Sequence, residues 1–272
     1  MGIVNSFKEV EIVAVCDPVE ALRTAVADEF KAAGRYPSIE EMLDSEELDA
    51  AFVATPAHIN GQAALPCLAA GVNTFVEKPP GLSLQETTAL RDAAVRAGVQ
   101  GMVGWNRRFH PQIVETRRMV EERGPIVQLV GEFHKSMTRL EKRTDRFPEH
   151  LLDNYMWESP IHSIDLVRFL AGAEVAEVHS VVRRALHKYK DVYGALVLFE
   201  NGCVGHFMFN LTTSMRLERY EIHGYGISAY LEGVRGGVVV CDGNQHPLDP
   251  VDETSTQVED RYFIDCVKED RP

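Results

Sequence analysis

Short apolar runs alternate with helical patterns from residue 10 to residue 106, and this alternation predicts a parallel sheet covered by helices. Val10 to Cys16 reads as a strand ending at Asp17-Pro18, with Asp17 as a helix cap, Pro18 in the first turn and Ala21 to Ala33 as the helix body. Ser38-Ile39-Glu40-Glu41 has capping-box spacing, in which a hydroxyl and a carboxylate three residues on satisfy each other's backbone donors. Ala50 to Ala54 is the next strand. It ends in Thr55-Pro56-Ala57-His58, and a helix from about Asn60 to Ala70 stops at Gly71. Pro66 conflicts with that helix, because it removes a donor and crowds the preceding turn. Val72 to Val76 is a short buried strand stopped by Pro79-Pro80; Ser83 and Glu86 open a helix that runs to Ala97 and ends at Gly98; Val99 to Trp105 is a further strand.

Beyond about residue 108 the pattern changes. A helical stretch, Gln112 to Arg123, leads to a strand at Val127 to Lys135, a polar segment rich in charge, and a helix beginning at Ser159-Pro160. After Gly172 come alternating runs at Val175 to Leu186, Val192 to Phe199, Cys203 to Leu211, Leu217 to His223 and Ile227 to Glu232. Asn201-Gly202 is a strong hairpin turn, and Gly224-Tyr225-Gly226 is a turn between strands rather than a dinucleotide loop. The second half therefore reads as a mostly antiparallel sheet with a few helices.

Composition narrows the function classes. The chain has 272 residues, 45% of them hydrophobic, enough for roughly two domains. No apolar run approaches the ~20 residues of a membrane span, and the N-terminus lacks the layout of a signal peptide, so a cytoplasmic protein without a membrane partner is expected. The five cysteines are scattered and read as reduced thiols. A net charge of −13 argues against nucleic acid as a partner. No H-E-x-x-H and no Cys/His spacing suggests a metal site, so none is expected. Arg183-Arg184 with Lys188 and Lys190 reads as a solvated strand edge guarded by charge.

Candidate chemistry begins at Val76-Glu77-Lys78-Pro79-Pro80. Lys78 falls at the carboxyl end of a strand, the edge at which open parallel sheets bind ligands, where an ammonium can stabilise charge on a substrate oxygen. A solvated loop lysine is the other reading of the same residues. Asp17 likewise has two readings, a helix cap or an acid that binds the adenosine ribose hydroxyls and favours NAD over NADP.

The ordered motifs Val15-Cys16-Asp17, Ala54-Thr55-Pro56-Ala57-His58, Glu77-Lys78-Pro79, Gly104-Trp105-Asn106-Arg107-Arg108-Phe109 and Ile161-His162-Ser163-Ile164-Asp165-Leu166 resemble the Gfo/Idh/MocA family of nicotinamide-dependent oxidoreductases. The resemblance spans nearly the whole chain. It implies a Rossmann-like α/β domain over residues 1–107, with its first strand missing, and an α+β domain over residues 108–272 with a large, mostly antiparallel open sheet for substrate binding and homo-oligomer formation. It implies hydride transfer between a nicotinamide cofactor, NAD or NADP, and a hydroxyl-bearing carbon of a sugar, inositol or related polyol, and Asp17 makes NAD the expected cofactor. Lys78 and His162 would be the catalytic pair, with Glu158 as support. Asp17, Ala54, Thr55, Pro56 and His58 would line the cofactor, as would Glu77, Lys78, Trp105 and Arg107. The residues themselves agree about His162: the positive end of a helix beginning at Ser159-Pro160 favours a neutral imidazole, which suits it to accept a hydroxyl proton.

The sequence departs from the family pattern in three places. Glu158 stands where an aspartate is usual, four residues before the histidine. No G-x-G-x-x-G precedes Asp17, and Met1-Gly2-Ile3-Val4 is too short for a central strand and phosphate loop, so the adenine half of the site lacks its backbone cradle and neighbouring strands gain open edges. The chain stops at Arg271-Pro272, after a helix through Phe263-Ile264-Asp265-Cys266-Val267. A fragment of a longer enzyme, or a misplaced start, is the resulting expectation. Two other functions stay open: an NAD-using glycosidase of the same family, and a catalytically inactive sensor with the same fold.

Overall fold

The parallel strands near the N-terminus are three or four residues long and form two separate sheets in the computed structural model, which describes residues 2–142, 149–233, 236–249, 251 and 254–271. β1 (Ala14–Cys16) leads through α1 (Glu20–Phe30) to β2 (Gly34–Tyr36), and these two strands pair with each other. After α2 (Ile39–Ser45) come β3 (Ala50–Val53), α3 (Asn60–Ala69), β4 (Asn73–Val76), α4 (Leu84–Ala97) and β5 (Gly101–Val103), with strand order β3-β4-β5. Local chemistry fixes the helix ends. Ser38 Oγ accepts from the Glu41 N–H and Ser83 Oγ from the Glu86 N–H, each at 3.2 Å, and Glu86 Oε2 accepts from the Leu82 N–H at 2.6 Å. Gly98 stops α4 at φ +69°, a left-handed conformation that costs glycine little.

Several boundaries differ from the sequence reading. Val10 to Val13 carry strand-like residues but lie outside β1, because β2 offers only three residues to pair with. β2 itself, Gly-Arg-Tyr, has no apolar run to announce it. Val19 rather than Asp17 is the N-cap of α1, so Pro18 precedes the helix instead of entering its first turn. α3 continues through Pro66, with Ala70 N–H still reaching Pro66 O at 2.9 Å.

The chain divides into two units, Met1–Gly104 with Thr256–Pro272, and Trp105–Ser255. The helix near the C-terminus, Ser255–Glu269, thus belongs almost wholly with the first unit, not with the domain 108–272 in which the sequence pattern placed it. Aromatic packing is the reason. Phe263 is fully buried, edge-on to Phe52 at 5.3 Å and to Phe75 at 5.7 Å, and Phe7 and Ile264 complete the cluster. A second cluster, Val53, Leu68, Val76 and Leu90, joins α3 and α4 to the three-stranded sheet.

The second unit opens with a 3-10 turn at Asn106–Phe109 and α5 (Pro111–Glu121), then β6 (Gln128–Ser136), α6 (Met137–Leu140), α7 (Glu149–Leu152) and α8 (Ile161–Ala171). Of the charged segment before Ser159, residues 143–148 lie outside the described residues. Strands β7 (Val175–Arg183), β8 (Val192–Phe199), β9 (Val204–Asn210), β10 (Thr212–Gly224), β11 (Ile227–Leu231), β12 (Gly237–Cys241) and β13 (Asn244–Leu248) join β6 in one sheet; the terminal helix described above is α9. The order is β13-β12-β11-β10-β6-β9-β8-β7, antiparallel throughout except for the parallel pair β6–β9. α8 lies across that pair with Leu166, Val167 and Leu170 buried. Gly131 and Gly205 allow the contact: a Cβ on either would stand 3.2–3.3 Å from the Val167 side chain. β7 is an edge strand, exposed along its length.

The basic run at the end of β7 and beyond lies at an exposed sheet edge, as its charge suggests, and its side chains also find partners. Arg184 bonds Asp153, Lys188 bonds Glu149 and Lys190 reaches Asn154 and Asp153, tying the loop to α7 and its exit. Asp191, fully buried, accepts the backbone N–H groups of Ala185, Leu186 and His187 at 2.6–3.0 Å, which closes the loop on itself. No helix among the described residues is long and apolar enough to cross a membrane.

The aromatic cluster yields a quantitative expectation. Phe263→Ala removes a fully buried ring that touches two others and should cost about 3–5 kcal/mol, read as a fall in the denaturant midpoint of the first unit.

Candidate functional site

In the first unit the predicted site residues fall on loops at the carboxyl ends of parallel strands, the usual ligand edge of such sheets. The Glu77 N–H still donates to Val53 O at 2.8 Å, and the Gly104 N–H to Val76 O at 2.9 Å, so Lys78 is the first residue wholly past the ladder. Its side chain is 11% exposed, with Nζ 3.9 Å from Glu77 Oε1. Ala54, Pro56 and His58 are exposed, and the turn is closed by Ile59 N–H on Pro56 O at 2.9 Å. Asp17 Oδ1 accepts from the Val19 N–H at 2.8 Å, and its own carbonyl accepts from Arg23 Nη1 at 2.6 Å. The carboxylate therefore braces the turn ahead of α1.

Asn60 is a residue the sequence reading passed over. It is fully buried; its Oδ1 accepts from Thr55 Oγ1 at 2.8 Å, while Nδ2 donates to Glu77 O at 2.9 Å and Pro79 O at 3.1 Å. Beside it, Gly61 permits a close approach, since a Cβ there would meet Pro80 O at 2.6 Å.

In the second unit the centre is His162, 8% exposed in the first turn of α8, with its N–H on Ser159 O at 3.2 Å. Trp105 stands edge-on to the imidazole, ring centres 6.2 Å apart. Two neighbouring arginines bolt the Trp105 turn in place. Arg108 makes a two-pronged bond to Asp165, one turn along α8 from His162, with Nε on Oδ2 at 2.8 Å. Arg107 does the same to Glu218 on β10, at 3.0 and 3.2 Å, and its third nitrogen donates to Asn106 Oδ1. Tyr220 Oη donates to Glu218 Oε1 at 2.8 Å and meets Ser163 Oγ at 3.3 Å. Turn, strand and helix are thereby joined in a closed circuit of polar contacts around the histidine. Arg107, expected to face the cofactor, is thus committed in large part to Glu218.

The two carboxyls respond oppositely to burial. Burial works against the Glu218 carboxylate, but the Arg107 and Arg216 guanidiniums overcome it and hold the pKa down at about 2. At Asp165 burial prevails, and Arg108, with a smaller contribution from Arg168, only partly offsets an upward shift. Neither partner could be found from sequence, because pairs 57 and 111 positions apart leave no local pattern.

A second polar group precedes α8. Lys135 Nζ donates to Tyr155 Oη and lies 3.4 Å from Ser159 Oγ, and Ser159 Oγ donates to Glu158 Oε2. Burial, reinforced by the nearby Glu158 charge, pushes the Tyr155 phenol far up and so keeps it protonated. Glu158 thus engages Ser159, whose carbonyl in turn receives the His162 N–H. Among the described residues no group of three His, Cys, Asp or Glu side chains could hold a metal ion.

The strand-end loops thus carry an acid after β1, a Thr-Pro turn with Pro56 exposed after β3 and a lysine after β4. Residues 2–105 match the family profile described as an oxidoreductase family with an NAD-binding Rossmann fold, and residues 113–229 match the GFO/IDH/MocA C-terminal domain. The chain belongs to the Gfo/Idh/MocA family. Within that family it is 26% identical over 246 residues to scyllo-inositol 2-dehydrogenase (NAD(+)) of Bacillus subtilis, covering 88% of this chain and 68% of that one. The chain spans only about half of several other curated relatives. Among solved structures, a dehydrogenase from Chromobacterium violaceum superposes with TM-score 0.88 at 21% identity, covering 99% of this chain and 83% of that one. UDP-N-acetylglucosamine 3-dehydrogenase from Acidithiobacillus ferrooxidans gives 0.83 at 22%, covering 100% and 85%. Both superpose on the fold of this chain, a parallel-sheet domain and a large, mostly antiparallel eight-stranded sheet.

The Glu218 carboxyl titrates lower in the folded protein than in the unfolded chain, so it contributes stability above about pH 4.5 that is lost as pH falls toward about 2. Glu218→Gln should therefore flatten the acid limb of stability against pH by up to about 1.4 kcal/mol per pH unit, read from denaturant melts between those values. An unchanged slope would show that Glu218 is not held ionised by its arginines.

Proposed function

We propose that this protein is an NAD-dependent dehydrogenase acting on a hydroxyl-bearing carbon of a sugar, inositol or related polyol. The observation that carries the reading is His162: an imidazole buried at the first turn of α8, packed against Trp105 and braced through Asp165 and Ser163. In its neutral form an imidazole at this place can take the substrate hydroxyl proton. Lys78 supplies a positive charge for the oxygen as its proton leaves, and its largely buried stem limits where the ammonium can go. Glu158, through Ser159, steadies the backbone that receives the His162 N–H. NAD, when bound, serves as hydride acceptor. Thr55, Pro56, His58 and Glu77 with Ala54, Trp105 and Arg107 form its surroundings in this reading, and the Asp17 carboxylate would repel a 2′-phosphate, which favours NAD over NADP. The inositol substrate named for the Bacillus subtilis relative supports a cyclic polyol. The exposed β7 edge and sheet face would take a second copy of the chain.

The test is NADH formation with inositols and free sugars, beside NADH titration by calorimetry. Lys78→Met and His162→Asn should each lower kcat by roughly 10²–10⁴-fold, with NADH affinity within a few-fold of native in His162→Asn. Full turnover in both variants would overturn the assignment. Release of a free sugar without net NADH would mark a glycosidase, and tight ligand binding without hydride transfer a sensor.

A further inference from the structure

The segment Glu77-Lys78-Pro79-Pro80 leaves β4 with more acceptors than donors. Its two prolines have no N–H, and the carbonyls of Glu77 and Pro79 lie beyond the sheet ladder. A buried carbonyl must find a donor, and here both find the same one. The Asn60 amide donates to Glu77 O at 2.9 Å and to Pro79 O at 3.1 Å, so one side chain grips the backbone on either side of Lys78.

The orientation of that amide is not arbitrary. Carbonyl oxygens only accept, so the Asn60 NH₂ must face them and its oxygen must face Thr55, whose hydroxyl donates at 2.8 Å. Thr55 lies after β3 and Lys78 after β4, so Asn60 also joins two adjacent strand-end loops. Gly61 brings the α3 terminus close enough for this, because any side chain there would strike Pro80 O.

We infer that Asn60 is the positioning residue of Lys78: it fixes the main chain on both sides of the lysine and so sets where its ammonium can reach. This rests on the reading that Lys78 contacts the substrate oxygen. A shift of about 1 Å in a group of that kind can lower a rate about 10²-fold, which is the scale on which such a clamp matters.

The experiment is trace acylation of lysines in the intact chain, read lysine by lysine by mass spectrometry, with the exposed Lys31 and Lys268 as internal references. Asn60→Leu keeps the volume and removes all three hydrogen bonds. It should raise the labelling of Lys78 relative to both references roughly tenfold, as a local opening. Gly61→Ala should move the same lysine in the same direction by forcing Pro80 aside, and Thr55→Val, which removes one bond, should have a smaller effect. Should Asn60→Leu fail to fold, the two milder variants decide the question. A Lys78 ratio that stays at the native value, or a rise shared equally by the reference lysines, overturns the positioning role. Turnover separates this from the functional reading: full activity in Lys78→Met sinks the catalytic assignment and leaves the labelling result standing. Lost activity in Lys78→Met, with native labelling and native kcat in Asn60→Leu, sinks the positioning role alone.

Discussion

A charge taken out of water must keep its partner, and this constraint organises the second unit. Arg107 and Arg108 are adjacent in sequence, yet their guanidiniums go to carboxylates on different elements, Glu218 on β10 and Asp165 on α8. Removing Arg108 would leave the Asp165 carboxylate buried without its partner, a loss of about 3–5 kcal/mol in comparable sites, whereas Glu218 keeps Arg216 as a second partner if Arg107 is lost. The turn between the arginines and their targets therefore cannot drift, and Trp105 and His162 inherit that rigidity. The stacking of Arg108 and Arg117 on the Phe169 ring, at 5.3 and 4.6 Å, adds an apolar stop on the same helix.

The first unit meets a different constraint. Its strands are too short to hold their loops by ladder hydrogen bonds alone, so side chains finish the work: Asp17 on the turn before α1, Glu86 on Leu82, and Asn60 on two carbonyls at once. The sequence pattern foresaw open strand edges near the N-terminus. The division into a two-stranded and a three-stranded sheet is the form they take.

Much of the local architecture is legible in the sequence itself. Ser38, Ser83, Gly71, Gly98 and the Asn201-Gly202 turn act through neighbours a few positions away, so their roles are written where they occur. What was not legible depended on partners distant in sequence. Val10 to Val13 look like a strand but lack an edge to pair with; Arg184 and Lys188 are exposed as their charge suggests, but their acidic partners on α7 and its exit are 31 and 39 positions away; α9 looks like part of the second domain until Phe263 finds Phe52 and Phe75. Asn60 was hidden for a related reason. At the start of a helix asparagine is unremarked, and only the folded loop shows what its amide holds. His162 and Lys78 stood out because family motifs surround them.

The return of α9 to the first unit has a consequence for the order in which the chain can fold. The second unit is one continuous segment and can close as soon as it has been synthesised. The first is discontinuous: Phe7, Phe52 and Phe75 leave the ribosome early but wait for Phe263 until the whole intervening unit has followed. Closing so long a loop costs only slowly increasing entropy, yet it makes the contact among the most non-local in the molecule. The N-terminal unit is thus the last to be completed, and during synthesis its unfilled aromatic surface is the place where aggregation competes with folding.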